Sequence, residues 1–531
     1  ACGNSVCEFD PICFALQVNL ELQPGESRTI NAIAGPLKDN DEIAALRGKY
    51  FADGAVEEEF RTVREYFDHA TDGVDIHTPD ETLNVFVNHW LKHQLLFNAT
   101  WARVYFNGVR DLLQDADNIS IFGADHARAT LRKVLSHQYE SGYAPRAWIE
   151  GQLVEQDYSD SPVWITFTVA SLVKETGDLT LLNEEVPFWE GESAEVYEHC
   201  RRSLEYLWAD RGEHGLSKIH SGDWNDIMNG VGADGDGQSV WLSMALHRAL
   251  LQFAELAEMI GRSDDADDAL TRARQLAEAI NTDGWDGEYY LRAFTDDGKP
   301  IGTSIENQCF LNPQAWSVIS GTAAEERARK AMQAVDEKLE RDIGILTVAE
   351  PFTEFRKDVG FISATRPGTN VNGGVYVHAS TFKMIADCML DRTEEAYRTL
   401  QKILPFSEAR DQQTGEPYVV PNAYFAPPSG ERYGEAGDGW FTGSAGWLLK
   451  GIVAHIFGLQ PEADGLHIRP CMPKQWQTSS ITRVFRGATY HVTYSPARSA
   501  DEPAITVDNE PLQSEVLPCE KGQNYRVHVA L

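Results

Sequence analysis

The sequence predicts a mainly α fold. An (α/α)6 barrel is expected over residues 78–460, between a helical linker at 37–77 and an all-β domain at 461–531, with residues 1–36 as the edge of a further β-domain. Three observations carry this. About a dozen helix-periodic segments follow one another in the middle of the chain. Gly-, Trp- and Asp-rich loops with no long strand alternation join them. After Gly458 the pattern turns to short β-type runs punctuated by Pro and Gly.

In chain order, FALQVNLELQPGESRTINAIAG alternates apolar and polar residues around a Pro-Gly turn, which predicts a hairpin of Phe14–Leu22 and Arg28–Ala34. A lone hairpin is marginal in water, so it is read as part of a larger β-domain otherwise absent. Asp39 to about His69 reads as a charged helical connection. Thr78-Pro79-Asp80-Glu81 has the form of a capping box. Leu83, Phe86, Val87, Trp90 and Leu91 then form one apolar stripe. Further helices are expected near 124–140, 162–176, 194–209, 238–260, 264–283, 311–320, 324–338, 377–390, 393–404 and 443–457, several ending at glycines such as Gly177 and Gly261. A solenoid would show a fixed repeat, which the chain lacks. Long, chemically rich loops favour a ring of paired helices with a site at one end.

The net charge of −35 argues against nucleic acid or an anionic membrane as partner. Any anion must be held by a local cluster of Arg, His and backbone N–H groups; the acidity itself reads more simply as adaptation to salt. No apolar run reaches the length of a membrane span. The opening ACGNSVCEFDPICF has neither a basic nor an apolar region of the signal-peptide kind. Eight cysteines without CxxC pairs suit neither zinc nor a dense disulfide framework, so reduced thiols and a cytoplasmic location are expected. Cys2, Cys7 and Cys13 receive no role.

Four segments carry candidate chemistry. In His220-Ser221-Gly222-Asp223-Trp224-Asn225-Asp226, two carboxylates flank a Trp, which suits a sugar site or, as composition alone favours, an Asx-turn around a packed Trp. Arg103 and Arg110-Asp111, with Gln114-Asp115, form either a polar grid for sugar hydroxyls or an ion-pair network at a helix start. Thr442-Gly443-Ser444 opens a helix, as an anion site or an ordinary cap. Arg366 and Asn370 precede His378, which begins another helix.

Taken together, GDWND (222–226), RD…QD (110–115), ENQCFLNPQAWSVISG (306–321), NGGVYVHAS (372–380) and WFTGSAGW (440–447) resemble glycoside hydrolase family 94, the cellobiose and related β-glycoside phosphorylases. The resemblance covers nearly the whole chain from about residue 10. It implies an N-terminal β-sandwich, of which most would be absent here, a helical linker, the barrel and a C-terminal β-domain. It implies Asp226 as general acid, and Arg103, His378, Thr442 and Gly443 as phosphate ligands. Asp111 and Trp224 would line the non-reducing sugar subsite, with Arg110, Gln114 and Asp115 beside them.

The activity so implied is inverting phosphorolysis of a β-linked glucosyl disaccharide to α-glucose 1-phosphate. Inorganic phosphate is co-substrate, there is no cofactor or metal, and a homodimer is implied. Asn370 stands where cellobiose phosphorylases carry a Lys, Arg366 lies four residues earlier, and Asn422 replaces a Gln. Arg366 can pair with a carboxylate, which puts a gluconic acid acceptor slightly ahead of glucose. The alternatives are an inverting hydrolase on the same barrel and a non-catalytic carbohydrate-binding fragment.

Overall fold

The computed structural model describes residues 16–531 apart from 36, 38, 155, 409, 411–414, 417, 477, 498 and 500–502. Two compact units divide at His69 and Ala70. The first contains helix α1 (Glu42–Tyr50) and most of α2 (Ala55–Ala70), whose Arg61 bridges Glu58 and Glu65 one turn to either side. The expected hairpin does not form among the described residues. Glu26 N–H bonds to the Gln23 carbonyl to close the Pro24-Gly25 turn, but residues 16–22 and 28–34 are exposed and make no ladder. Two strands without a third strand or an apolar surface to cover do not hold a sheet. Phe14, Ala15 and the first three cysteines lie outside the described residues.

The second unit holds the remaining helices: α3 (Glu81–Val85), α4 (Lys92–Phe97), α5 (Val109–Leu135), α6 (Ser161–Thr176), α7 (Val196–Ala209), α8 (Val240–Met259) and α9 (Ser263–Asp283). They continue with α10 (Leu311–Ile319), α11 (Glu325–Leu339), α12 (Val377–Met389), α13 (Thr393–Ile403) and α14 (Ser444–Lys450). Packing runs α5–α6–α8–α10–α12–α14 and back to α5, a closed ring. Outside it, α7, α9, α11 and α13 pack on α6, α8, α10 and α12, and α4 on α5 and α14. Sequence explains the sorting. Helix α6, SPVWITFTVASLVKET, is apolar on most sides and buried nearly throughout, whereas α11, EERARKAMQAVDEKL, buries only one stripe.

Three local expectations change. The cap before α3 is Asp80, whose Oδ1 accepts from Leu83 N–H at 3.0 Å, while Thr78 bonds Asn84 instead. Trp90 leaves the buried stripe and stacks on Tyr418. Helix α5 begins at Val109, well before 124, because Gly123 (φ −138°, ψ 47°) kinks one long helix and hides its polar first half from periodicity.

Residues Val74–His77, expected in the linker, form a strand with a buried-exposed alternation that pairs antiparallel with Ser480–Arg483. They edge a six-stranded sheet built otherwise from C-terminal strands, with Ala488–Ser495 and Asn524–Ala530 parallel at its centre. Between the helices lie two- and three-residue ladders too short to show a period, such as Val375–Tyr376 with Ala423–Tyr424. No helix among the described residues is long and apolar enough to cross a membrane. Cys200, Cys309, Cys388, Cys471 and Cys519 are free thiols.

Candidate active site

The first turns of the ring helices meet at one end of the ring. Arg110, Asp111, Gln114 and Asp115 stand at the start of α5, Asp160 immediately precedes α6, Ser239 caps α8, His378 opens α12 and Gly443 precedes α14. Helix N-termini carry partial positive charge and unpaired N–H groups, so this end suits anions whatever the net charge of the chain.

The two carboxylates of the GDWND loop separate by burial. Asp223 has no solvent exposure, and its oxygens accept from Arg292 Nη2 at 2.5 Å, Ser239 Oγ at 2.6 Å and Asn225 N–H at 2.9 Å. It is wholly occupied in holding the loop. Asp226 is 32% exposed in its side chain. Its Oδ1 accepts from Arg110 Nη2 at 2.8 Å and its Oδ2 from Arg146 Nη2 at 2.6 Å. Tyr158 OH donates to the Asp226 carbonyl at 3.0 Å. Gly222, at φ +150°, lies so close to the Tyr158 ring that a Cβ there would approach it to 2.9 Å.

Arg110 also reaches Asp160 Oδ2 at 2.9 Å and the Asp223 carbonyl at 3.1 Å, tying α5, α6 and the loop together. Arg103 donates from Nε to Asp115 Oδ2 at 3.1 Å and lies 3.9 Å from Asp111. Burial pushes the Asp111 carboxyl up, but Arg103, Arg146 and Arg110 outweigh it and bring it down to about 2. Asp115 goes the other way, to about 6, because its burial outweighs Arg103. Burial also raises Asp160. Asp111 fits beneath Gly108, where an added Cβ would lie 2.1 Å from its Oδ2.

His378 is 5% exposed, and burial brings its imidazole down to about 3, so it is neutral. The Trp224 indole N–H donates to His378 Nδ1 at 3.3 Å. An indole can only donate, so the imidazole proton sits on Nε2. That Nε2 is buried and has no partner. The ring edge faces Gly443, whose missing Cβ would lie 3.5 Å from His378 Cε1 and 3.4 Å from Gln114 Oε1. Thr442 Oγ1 accepts from Ser444 N–H at 3.0 Å and pairs with Ser444 Oγ at 2.6 Å.

An aromatic layer of Trp164, Trp316, Phe382 and Trp447 closes the floor. Trp164 and Trp447 send their N–H groups up to Asp160 Oδ2 (3.0 Å) and Gln114 Oε1 (2.8 Å). A cavity of about 950 Å³ opens on the far side, between Lys174, Arg248, Lys450 and Glu462; none of Asp226, Arg110 or His378 lines it.

Most of the expected residues thus gather, and Arg366, Asn370 and Asn422 make other contacts. Arg366 makes an exposed ion pair with Glu431 at 2.6 Å rather than facing this cluster. Asn370, at φ +45°, is exposed and receives Gly374 N–H on its carbonyl. Asn422 accepts Val377 N–H on its carbonyl at 2.9 Å, one residue from His378. Sequence reasoning missed Arg146, Asp160, Tyr158 and Arg292. Asp160-Ser161-Pro162 before an apolar run is a readable helix start. Nothing near Arg146 gives a signal, because only the pairing of Phe106–Gly108 with Ala147–Ile149 brings it to the site.

The catalytic-domain profile of the Glycosyl hydrolase 94 superfamily matches residues 66–458. The chain is 38% identical over 525 residues to solabiose phosphorylase of Paenibacillus borealis, covering 98% of this chain and 68% of that one. It is 34% identical to 3-O-beta-D-glucopyranosyl-beta-D-glucuronide phosphorylase of the same organism, covering 100% and 70%. With cellobionic acid phosphorylase of Neurospora crassa it shares 31%, covering 100% and 69%. Among solved structures, a sialidase (TM-score 0.59, 12% identity, 80% of this chain and 38% of that one) is similar in fold. So is a family 78 rhamnosidase from a Bacillus species (TM-score 0.54, 13% identity, 87% and 44%).

Proposed function

Since the chain belongs to the Glycosyl hydrolase 94 superfamily, we propose that it is an inverting β-glycoside phosphorylase whose closed helical ring is an (α/α)6 barrel. The observation that carries the reading is the unpartnered Nε2–H of neutral His378 beside Gly443. A buried donor without an acceptor is costly, and a phosphate oxygen supplies the acceptor. A neutral imidazole donates this hydrogen bond at any pH well above about 3. Arg103 and the first turn of the α14 segment at Thr442-Gly443 add charge and donors around the same anion.

Asp226 is the acid. It protonates the glycosidic oxygen as the bond to the anomeric carbon breaks, while a phosphate oxygen attacks that carbon from the opposite face. The product is an α-sugar 1-phosphate. Donors fixed on the phosphate stabilise charge as the oxocarbenium-like transition state forms. Phosphate arrives as an anion, so no base is needed. An inverting hydrolase needs a second carboxylate roughly 6.5–9.5 Å from the first to activate water. The neighbouring carboxylates are poorly suited: Asp111 is held at about 2, Asp115 is buried on Arg103, and Asp160 is buried on Arg110. Trp224 and Asp111 are assigned to the sugar that keeps its anomeric carbon.

Three similar enzymes are named for solabiose, a glucosyl glucuronide and cellobionic acid. The donor assigned here is accordingly a β-glucosyl disaccharide, with gluconic acid or glucose as the acceptor of first choice. The test incubates the chain with cellobionic acid, cellobiose, solabiose and the glucosyl glucuronide, with and without phosphate. α-Glucose 1-phosphate is expected only with phosphate. Equal release of free glucose without phosphate overturns the reading.

A further inference from the structure

Both oxygens of Asp226 are engaged, but the two arginines on them are held differently. Arg110, on Oδ1, is buried and anchored from its other nitrogen by Asp160 and the Asp223 carbonyl. Arg146, on Oδ2, has a buried Nη1 with no partner. Beyond Asp226, its guanidinium lies against the Tyr158 side chain, ring centroid at 5.0 Å, and the Phe106 ring at 5.6 Å. A carboxyl oxygen that carries a proton binds a guanidinium far less well than a carboxylate oxygen does. The anchored Arg110 keeps Oδ1, which leaves Oδ2 as the oxygen to be freed.

We propose that Arg146 is a positioning residue that occupies Oδ2 of Asp226 in the empty site, and that the incoming acceptor sugar displaces it so that Oδ2 carries the transferred proton. This rests on the phosphorolytic reading. With Arg146 withdrawn, Oδ2 is open to carry the proton that the step transfers. That proton passes to the glycosidic oxygen, the bond to the anomeric carbon breaks, and the bond from phosphate forms. Asp226 is left as a carboxylate, and Arg146 closes on Oδ2 as the acceptor leaves. The displaced guanidinium, with a free Nη1, meets the hydroxyl or carboxylate oxygens of the acceptor.

The charged and titratable groups facing Asp226 are Arg110, Arg146, Asp160, Tyr158 and Tyr376, and Arg146 also acts on Asp111. Burial raises Tyr158, and brings Tyr376 to about 12, while Asp111 lies at about 2. None of these three titrates near neutrality.

The experiment compares wild type with Arg146→Met and Arg146→Lys. It follows kcat/KM for phosphorolysis against pH, KM for the acceptor in the synthetic direction, and KM for phosphate. In Arg146→Met the alkaline limb moves up by about one pH unit, acceptor KM rises several-fold and phosphate KM stays put. Arg146→Lys lies between. A limb left at the wild-type pH, or a loss confined to kcat in both variants, makes Arg146 merely structural and overturns the proposal. Asp226→Asn separates the two levels: if that variant stays fully active, it is the phosphorolytic reading that fails.

Discussion

Arg292 and Asp223 form an ion pair with no solvent exposure on either side chain, Nη2 to Oδ1 2.5 Å, and this pair holds the loop from which Asp226 reaches the site. Removing one partner leaves a buried charge alone, at a cost of about 3–5 kcal/mol. Arg292→Met is expected to lower the urea midpoint accordingly. Adding Asp223→Asn to Arg292→Met should cost far less than the sum of the two single changes. Additive losses would show that the two side chains are not coupled.

Asp226→Asn removes the carboxyl assigned as the acid while Arg110 keeps its bond to Asp160. Phosphorolysis should fall by roughly 10²–10⁴-fold, the usual reach of general acid catalysis. The unfolding temperature should change little, because the side chain is one-third exposed (32%). Sugar 1-phosphate assays alongside thermal unfolding check both halves.

His378 sets a stability slope with a definite sign. Unfolded, its imidazole takes a proton below about 6.5; folded, burial delays this to about 3. The unfolded chain therefore binds more protons between these values, and stability falls as pH falls through them. One such group contributes up to about 1.4 kcal/mol per pH unit. Subtracting the stability-pH curve of His378→Gln from that of wild type should isolate this slope between about pH 6 and 4. The same substitution should raise phosphate KM, since it replaces the Nε2–H donor. A flat difference curve would mean that the buried imidazole is charged.

Gly108 has an ordinary φ of −64°, so alanine suits its backbone. Yet the new Cβ would stand 2.1 Å from Asp111 Oδ2. Gly108→Ala should therefore displace the carboxylate assigned to the sugar, raising disaccharide KM about tenfold or more, with a stability change of the order of 1 kcal/mol. An unchanged KM would remove Asp111 from the sugar subsite.

Legibility followed the length scale of each signal. Long helices announced themselves by period, and Gly177 ends α6 at φ +70° where the sequence placed a stop. Helix α5 was half lost, since its first turns spend their side chains on Arg110, Asp111, Gln114 and Asp115 rather than on an apolar stripe. Asp223 and Asp226, three residues apart, look alike in the sequence. Burial against Arg292 and Ser239 makes one a support, while the other reaches the site with its side chain one-third exposed (32%). Arg366 drew attention as a cation in a loop, and its partner turned out to be Glu431 on the surface.

Local composition and spacing, then, determined that the chain is mainly helical, and the resemblance of its motifs is what joined Asp226, His378 and Thr442 into one expected site. Tertiary structure decided the charge and the readiness of each group. A pairing of two short strands brings Arg146 onto Oδ2 of Asp226. The Trp224 indole, arriving from another loop, fixes which nitrogen of His378 carries the proton. Protonation and tautomer depend on burial and on partners far away in the chain, and no window of sequence contains either.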